Sequence, residues 1–207
     1  MRRLTTSTSP RRSRILLCSI PLALAVGCTT DTPASAPDAP EAGDPTLGAL
    51  PAGDTVERVE VDRYLGAWFE VASIPQGFQA RCAATTATYG AVDATTISVR
   101  NACRLDTLDG EPVQIDGMAT VVDPESNARL EVDFGFGRAP YWIVDLASAP
   151  AGEPYPWAIV SVPGGSSLWI LSRTARMPDG RYEALLERLR ARSYATDQLA
   201  LTLQPDA

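Results

Sequence analysis

Val61-Asp62-Arg63-Tyr64-Leu65-Gly66-Ala67-Trp68-Phe69-Glu70-Val71-Ala72 is the stretch on which the reading of this chain turns. A short polar approach leads to a glycine, and the glycine opens a bulky, strand-like segment. Gly66 reads as a tight entry, where a side chain would obstruct close backbone approach. Trp68 joins a large apolar surface to a single N–H, which suits the closed end of a core. A glycine two residues before a tryptophan is common in β proteins, so its meaning depends on the residues downstream.

Those residues read as strands. Residues 68–74 form the first, stopped by Pro75-Gln76-Gly77, and residues 82–90 and 95–104 read as a hairpin turning at Val92-Asp93. Over 113–122 the alternation sets Val113, Ile115, Gly117, Ala119 and Val121 against Gln114, Asp116, Met118 and Thr120. Residues 128–134 alternate as well, and Asp123-Pro124-Glu125-Ser126-Asn127 has turn chemistry. Further strands are expected at 140–146, 156–162 and 167–173. Short strands at this spacing indicate an all-β barrel or sandwich. An eight-stranded antiparallel up-and-down barrel is the simplest closure, because it removes edges. After Pro178-Asp179-Gly180 the apolar period changes, with Tyr182, Leu185, Leu186 and Leu189 in a helical stripe. That predicts one C-terminal helix packed outside the barrel, capped by Asp179. A last short strand is expected at 199–203.

The N-terminus reads differently. Residues 1–14 carry five arginines, and residues 15–26 form an apolar run broken by Pro21. That is the pattern of a secretory signal, too short for a comfortable membrane span. The run ends Leu24-Ala25-Val26-Gly27-Cys28 and resembles the bacterial lipobox, in which the cysteine sulfur receives the lipid and becomes the first residue. Simple cleavage near Gly27, leaving a free thiol, is the alternative; Pro10-Arg11-Arg12 leaves twin-arginine export open beside the general route. Residues 29–56, rich in Pro, Ala, Asp, Gly and Thr, read as a disordered tether spanning roughly 30 Å. The expected organisation is a lipoprotein signal peptide at 1–27, the lipidated Cys28 and tether at 28–56, and a folded domain at 57–207. The expected location is the bacterial cell envelope, in the outer membrane if the organism is Gram-negative.

Composition excludes several chemistries. Among 207 residues there is no histidine, and all 18 basic residues are arginine. Ser-His-Asp and Cys-His nucleophile pairs, imidazole zinc sites and histidine-ligated haem are therefore ruled out. A chain beginning at Cys28 holds 13 arginines against 25 acids, a net charge of −12, which disfavours nucleic acid. No metal, cofactor or catalytic residue is expected.

In its ordered motifs the chain resembles the lipocalins, specifically the bacterial outer-membrane and apolipoprotein-D-like branch. Asp62-x-Tyr64-x-Gly66-x-Trp68-Phe69-Glu70-Val71-Ala72 is similar to the family's first motif, with Phe69 where tyrosine is commoner. Tyr141-Trp142-Ile143-Val144 and Leu168-Trp169-Ile170-Leu171-Ser172-Arg173 are similar to later segments. So is Gln114-Ile115-Asp116-Gly117-Met118-Ala119 with Arg129-Leu130-Glu131-Val132-Asp133-Phe134. The resemblance covers residues 60–204 and implies a calyx open at one end. It also implies that Arg173 lies across Trp68 at the closed end, a structural cation–π contact contributing ~1–2 kcal/mol.

Cys82 and Cys103 lie at the start of one strand and the end of its hairpin partner. A cross-strand disulfide is expected between them; a reactive thiol, as in prostaglandin-synthesising lipocalins, is the alternative. By the resemblance, Tyr89, Asn101 and Trp169, with Glu70 and Tyr141, line a pocket for a fatty acid or lysophospholipid. Core filling by Trp169 and hairpin packing by Tyr89 are the bland readings. A register pairing Cys82 with Cys103 puts Tyr89 and Asn101 on opposite faces unless a bulge intervenes. The expectation is a non-enzymatic carrier whose oligomeric state the sequence leaves open. Its rivals are an enzyme working through a lone carboxylate such as Glu70, and an envelope interaction module with a filled calyx.

Overall fold

The computed structural model describes residues 54–206, so the signal segment, Cys28 and nearly all of the tether lie outside the described residues. A short helix α1 (Val61–Tyr64) leads into β1 (Gly66–Ser73), then β2 (Cys82–Ala91), β3 (Thr96–Leu105), β4 (Pro112–Val121) and β5 (Arg129–Asp133). Next come β6 (Arg138–Leu146), β7 (Trp157–Ser161), β8 (Leu168–Ser172), helix α2 (Asp179–Ala191) and β9 (Ala200–Leu201). Strands β1 to β8 pair in sequence, and β1 closes the barrel by pairing antiparallel with both β2 and β8. Residues Gly66–Phe69 face β2, while Phe69–Ser73 face β8 across a bulge between Glu70 and Ala72. Beyond the bulge, Ala72 and Ser73 pair with β9, which extends the sheet by one short strand.

The side-chain pattern differs around the barrel for a physical reason. In β5, Leu130 and Val132 are buried and their neighbours are not, as in a strand with one face to water. All five residues of β7 are buried. Ala158 and Val160 point into the barrel, while Trp157 and Ile159 lie under α2 with Val71, Val144, Leu168 and Ile170. Leu185 and Leu189 of α2 complete that second core. The helix is also held electrostatically: Arg188 bridges both oxygens of the buried Asp145 at 2.8 and 3.0 Å. The expected cap is corrected. The helix begins at Asp179 itself and Pro178 occupies the cap position, its carbonyl accepting from the N–H groups of Arg181 and Tyr182.

The closed end is built from one arginine and one tryptophan. Trp68 is fully buried, and its indole N–H donates to the Tyr64 carbonyl at 2.8 Å. The Arg173 guanidinium lies 3.7 Å from the Trp68 ring centroid. Its N–H groups donate to the carbonyls of Arg63, Tyr64, Leu65, Ala67 and Tyr155, tying α1 and the start of β1 to β8. Gly66 takes φ +94°, and a Cβ there would stand 3.4 Å from Arg173 Nη1. Glycine is thus favoured by the positive φ, with the guanidinium at van der Waals distance from where a Cβ would stand.

The β2–β3 hairpin settles the register. Its connection runs over residues 92–95, longer than a turn at Val92-Asp93, and Tyr89 stands opposite Val99 with Ala87 opposite Asn101. Paired residues share a face, so Tyr89 and Asn101 both turn inward. Cys82 is paired with Leu105 and is not directly opposite Cys103; a bulge between Ala83 and Thr86, with Ala84 at φ +52°, shifts the register by one. The disulfide Cys82–Cys103 forms across that shift, with Cα atoms 5.4 Å apart. The disulfide and the shared inward face of Tyr89 and Asn101 coexist because the cysteines bridge diagonally beside the bulge and are not a directly opposed pair.

Candidate ligand-binding site

Above the Trp68 floor the barrel encloses a cavity of about 140 Å³, to which the segment after β1 contributes Phe78 and Gln79 and the segment after β5 contributes Phe134. Its wall is mainly apolar, with Val99, Val132, Val160 and Leu171 among the lining side chains. Glu70, Tyr89, Asn101, Tyr141 and Trp169, the five residues singled out from the sequence, all line it. They come from β1, β2, β3, β6 and β8, so only closure of the barrel gathers them.

At the bottom, three phenols form a chain. The Tyr141 hydroxyl lies 2.8 Å from that of Tyr89 and 2.8 Å from that of Tyr64. The Tyr89 ring lies between the other two, with centroids 5.5 Å from Tyr64 and 6.0 Å from Tyr141. Burial pushes all three phenols upward, Tyr89 to about 12 and Tyr64 and Tyr141 well above the ordinary tyrosine range. The cause is the cost of an anionic oxygen away from water.

Higher on the wall, Glu70 is 6% exposed, and both of its oxygens act as acceptors. Oε1 accepts from Ser73 Oγ at 2.9 Å and from Thr202 Oγ1 at 2.6 Å; Oε2 accepts from Gln79 Nε2 at 3.1 Å. The Gln79 side-chain Oε1 in turn accepts from Trp169 Nε1 at 3.0 Å, which fixes the indole over the cavity. Two polar atoms of the wall are buried without a protein partner, Thr85 Oγ1 and Asn101 Oδ1. At the rim, Phe78 lines the entrance yet is 79% exposed, and Phe136, in the loop after β5, is 90% exposed.

Tyr64, Gln79 and Thr85 were not singled out from the sequence. Thr85 shares the parity of Tyr89 on β2, so alternation could have found it, and Tyr64 sits within the opening motif. Gln79 lies in a loop, where no period points to it. Among the described residues, no cluster of three or more Cys, Asp or Glu side chains is arranged to hold a metal.

The sequence matches the family described as a lipocalin-like domain across residues 59–204. The chain belongs to the lipocalin family. This lipocalin is 30% identical over 158 residues to the outer membrane lipoprotein Blc of Vibrio cholerae, covering 76% of this chain and 90% of that protein. It is 33% identical over 163 residues to temperature-induced lipocalin-1 of Arabidopsis thaliana, covering 74% of this chain and 83% of the relative. Insecticyanin of Manduca sexta has a similar structure, with a TM-score of 0.58 at 18% identity over 77% of this chain and 88% of that one. Lobster apocrustacyanin A1 gives a TM-score of 0.56 at 15% identity, covering 71% and 81% of the two chains. At those identities the likeness is one of fold. Lipocalins bind small hydrophobic ligands and are generally binding or transport proteins, not enzymes.

Proposed function

We propose that this lipocalin binds a single-chain amphiphile, of the fatty acid or lysophospholipid class, and stores or passes it within the bacterial envelope. The observation that carries the reading is the cavity itself, apolar along its walls and interrupted by a few convergent polar groups. One water needs about 10–15 Å³ measured in this way, so the cavity has room for roughly ten such positions. That suits part of one acyl chain, the remainder leaving past Phe78. Affinity comes from apolar burial at about 25 cal/mol per Å².

The reading includes an anchor, a lipid on Cys28, with residues 29–56 as the leash and a domain from residue 57 onward. Similarity to the Vibrio cholerae outer membrane lipoprotein supports the envelope location. Among the described residues no helix is long and apolar enough to cross a membrane. No catalytic step is assigned: the Glu70 carboxylate is occupied by Ser73, Thr202 and Gln79.

Native mass spectrometry with lipid extraction, on protein purified from the envelope, tests the proposal. A stoichiometric single-chain lipid that is lost in Trp169→Ala is the expected result. An empty protein whose tryptophan fluorescence responds to no lipid in a panel would overturn it and turn attention to a protein partner.

A further inference from the structure

We infer that the calyx discriminates between ligand heads, taking an amphiphile whose head donates hydrogen bonds, a hydroxyl or a protonated amine, ahead of a fatty-acid carboxylate. The inference rests on the ligand-binding reading above and sharpens which chemical group its ligand presents to the cavity wall. A hydroxyl or an ammonium brings donors to that wall; a fatty acid at neutral pH brings only acceptors and a negative charge.

The polar inventory of the wall points this way. Glu70 presents a carboxylate that is 6% exposed, and Asn101 presents an amide oxygen with no protein partner. Thr85, 7% exposed, adds a hydroxyl that is also unpartnered and can accept or donate. A buried acceptor without a donor carries an uncompensated desolvation cost, which a donating head relieves and a carboxylate does not. Among the described residues no arginine lines the cavity, and the chain has no lysine or histidine. An anionic head would therefore enter a low-dielectric site with Glu70 beside it and no cation in contact.

The charged group beneath the floor does not reverse this. Arg173 lies behind Trp68 with its N–H groups committed to the carbonyls of residues 63, 64, 65, 67 and 155. The three phenols share three protons over two oxygen–oxygen contacts, so at least one hydroxyl proton is free for another acceptor. That proton, the Thr85 hydroxyl and the Asn101 amide N–H groups are neutral donors: they satisfy a hydroxyl's lone pairs but do not offset the repulsion between a carboxylate and the Glu70 charge. The upward shift of all three phenols shows that the same region already resists negative oxygen.

Decylamine, 1-decanol and decanoate share one tail and differ only in the head, so isothermal titration calorimetry of the full-length protein at pH 7.5 isolates the head's effect. Decylamine and decanol should each bind at least tenfold more tightly than decanoate. Decanoate binding as tightly as either would overturn the inference and leave the carrier reading standing; binding of none of the three would remove both. Glu70→Gln keeps the shape and removes the charge: decanoate should gain about fivefold or more and decylamine should lose as much, with decanol changed least. An unchanged ranking in that variant would count against the inference. Because Glu70 also holds Ser73, Thr202 and Gln79, Asn101→Leu provides an independent arm. It should weaken decanol and decylamine severalfold and leave decanoate unaltered, and equal weakening of all three would count against a head-selective wall.

Discussion

The two ends of the barrel are built on opposite principles. At the closed end Trp68 is fully buried, its N–H is taken by Tyr64, and Arg173 serves five carbonyls while covering the indole. Toward the open end, Thr85 Oγ1 and Asn101 Oδ1 are buried without partners, and Phe78 and Phe136 face outward. Saturated polar groups and dense packing give stability; unpaired polar groups and exposed apolar surface cost stability and are characteristic of places where something binds. The difference suggests different work for the two ends: the floor holds the barrel shut, and the wall above it is the surface proposed to meet the ligand.

The floor should therefore show the largest effect on folding. Trp68→Ala removes a fully buried ring from beneath Arg173 and should destabilise by about 3–5 kcal/mol in urea unfolding. A loss below about 1 kcal/mol would break the comparison at its stronger side. Next in size is the covalent link beside the mouth. Reducing Cys82–Cys103, or replacing both cysteines by serine, should cost about 3 kcal/mol by the loop-entropy account for a separation of 21 residues. Measuring unfolding with and without reductant checks it, and a larger effect than that of Trp68→Ala would move the centre of stability from floor to mouth.

Much of this contrast is legible in the chain. Alternation over 113–122 and 128–134 and the change to a helical stripe at Tyr182–Leu189 are enough for the barrel and its outer helix. The register of the β2–β3 hairpin is not, because it depends on a bulge centred on Ala84, a residue type with no turn signature, and on a connection reaching to residue 95. The five residues that line the cavity are reached through the resemblance: Glu70, Tyr141 and Trp169 sit in the quoted motifs, Tyr89 and Asn101 at positions matching the family's pocket. The link from Glu70 through Gln79 to Trp169 is hidden, since it joins a loop to two strands that become neighbours only when the barrel closes. The start of α2 is ambiguous by one residue: a capping Asp179 and a helical Asp179 leave the same sequence trace.

The phenol chain lies between the two ends and has an intermediate effect. Tyr141→Phe leaves the Tyr64 and Tyr89 hydroxyls without their shared partner and should cost about 1–3 kcal/mol. The same cluster gives an alkaline signature. Tyr89 is pushed up to about 12 by burial, whereas a phenol in the unfolded chain ionises near about 10. The folded state thus keeps a proton that the unfolded state releases. The contribution is full below about pH 10 and is lost as pH rises toward about 12, so stability falls through that window. Spectrophotometric titration should show phenolate from Tyr64, Tyr89 and Tyr141 only above it or on unfolding, and early ionisation of all tyrosines would show a wetter floor than the burial of these rings implies.

The smallest effect is also the one that separates the two ends most sharply. In a region built for stability, removing a buried polar group destabilises, because its partner loses a bond. Thr85 Oγ1 has no partner to lose. Thr85→Val should therefore leave stability unchanged or raise it by up to about 1 kcal/mol, since an uncompensated hydroxyl gives way to a methyl of similar size. If the wall is a binding surface, the same change should weaken decanol severalfold in calorimetry. A stabilised protein that binds worse is the result expected when a fold keeps a polar atom for its ligand. A destabilised one that binds equally well would mean that Thr85 belongs to the floor's kind of structure after all.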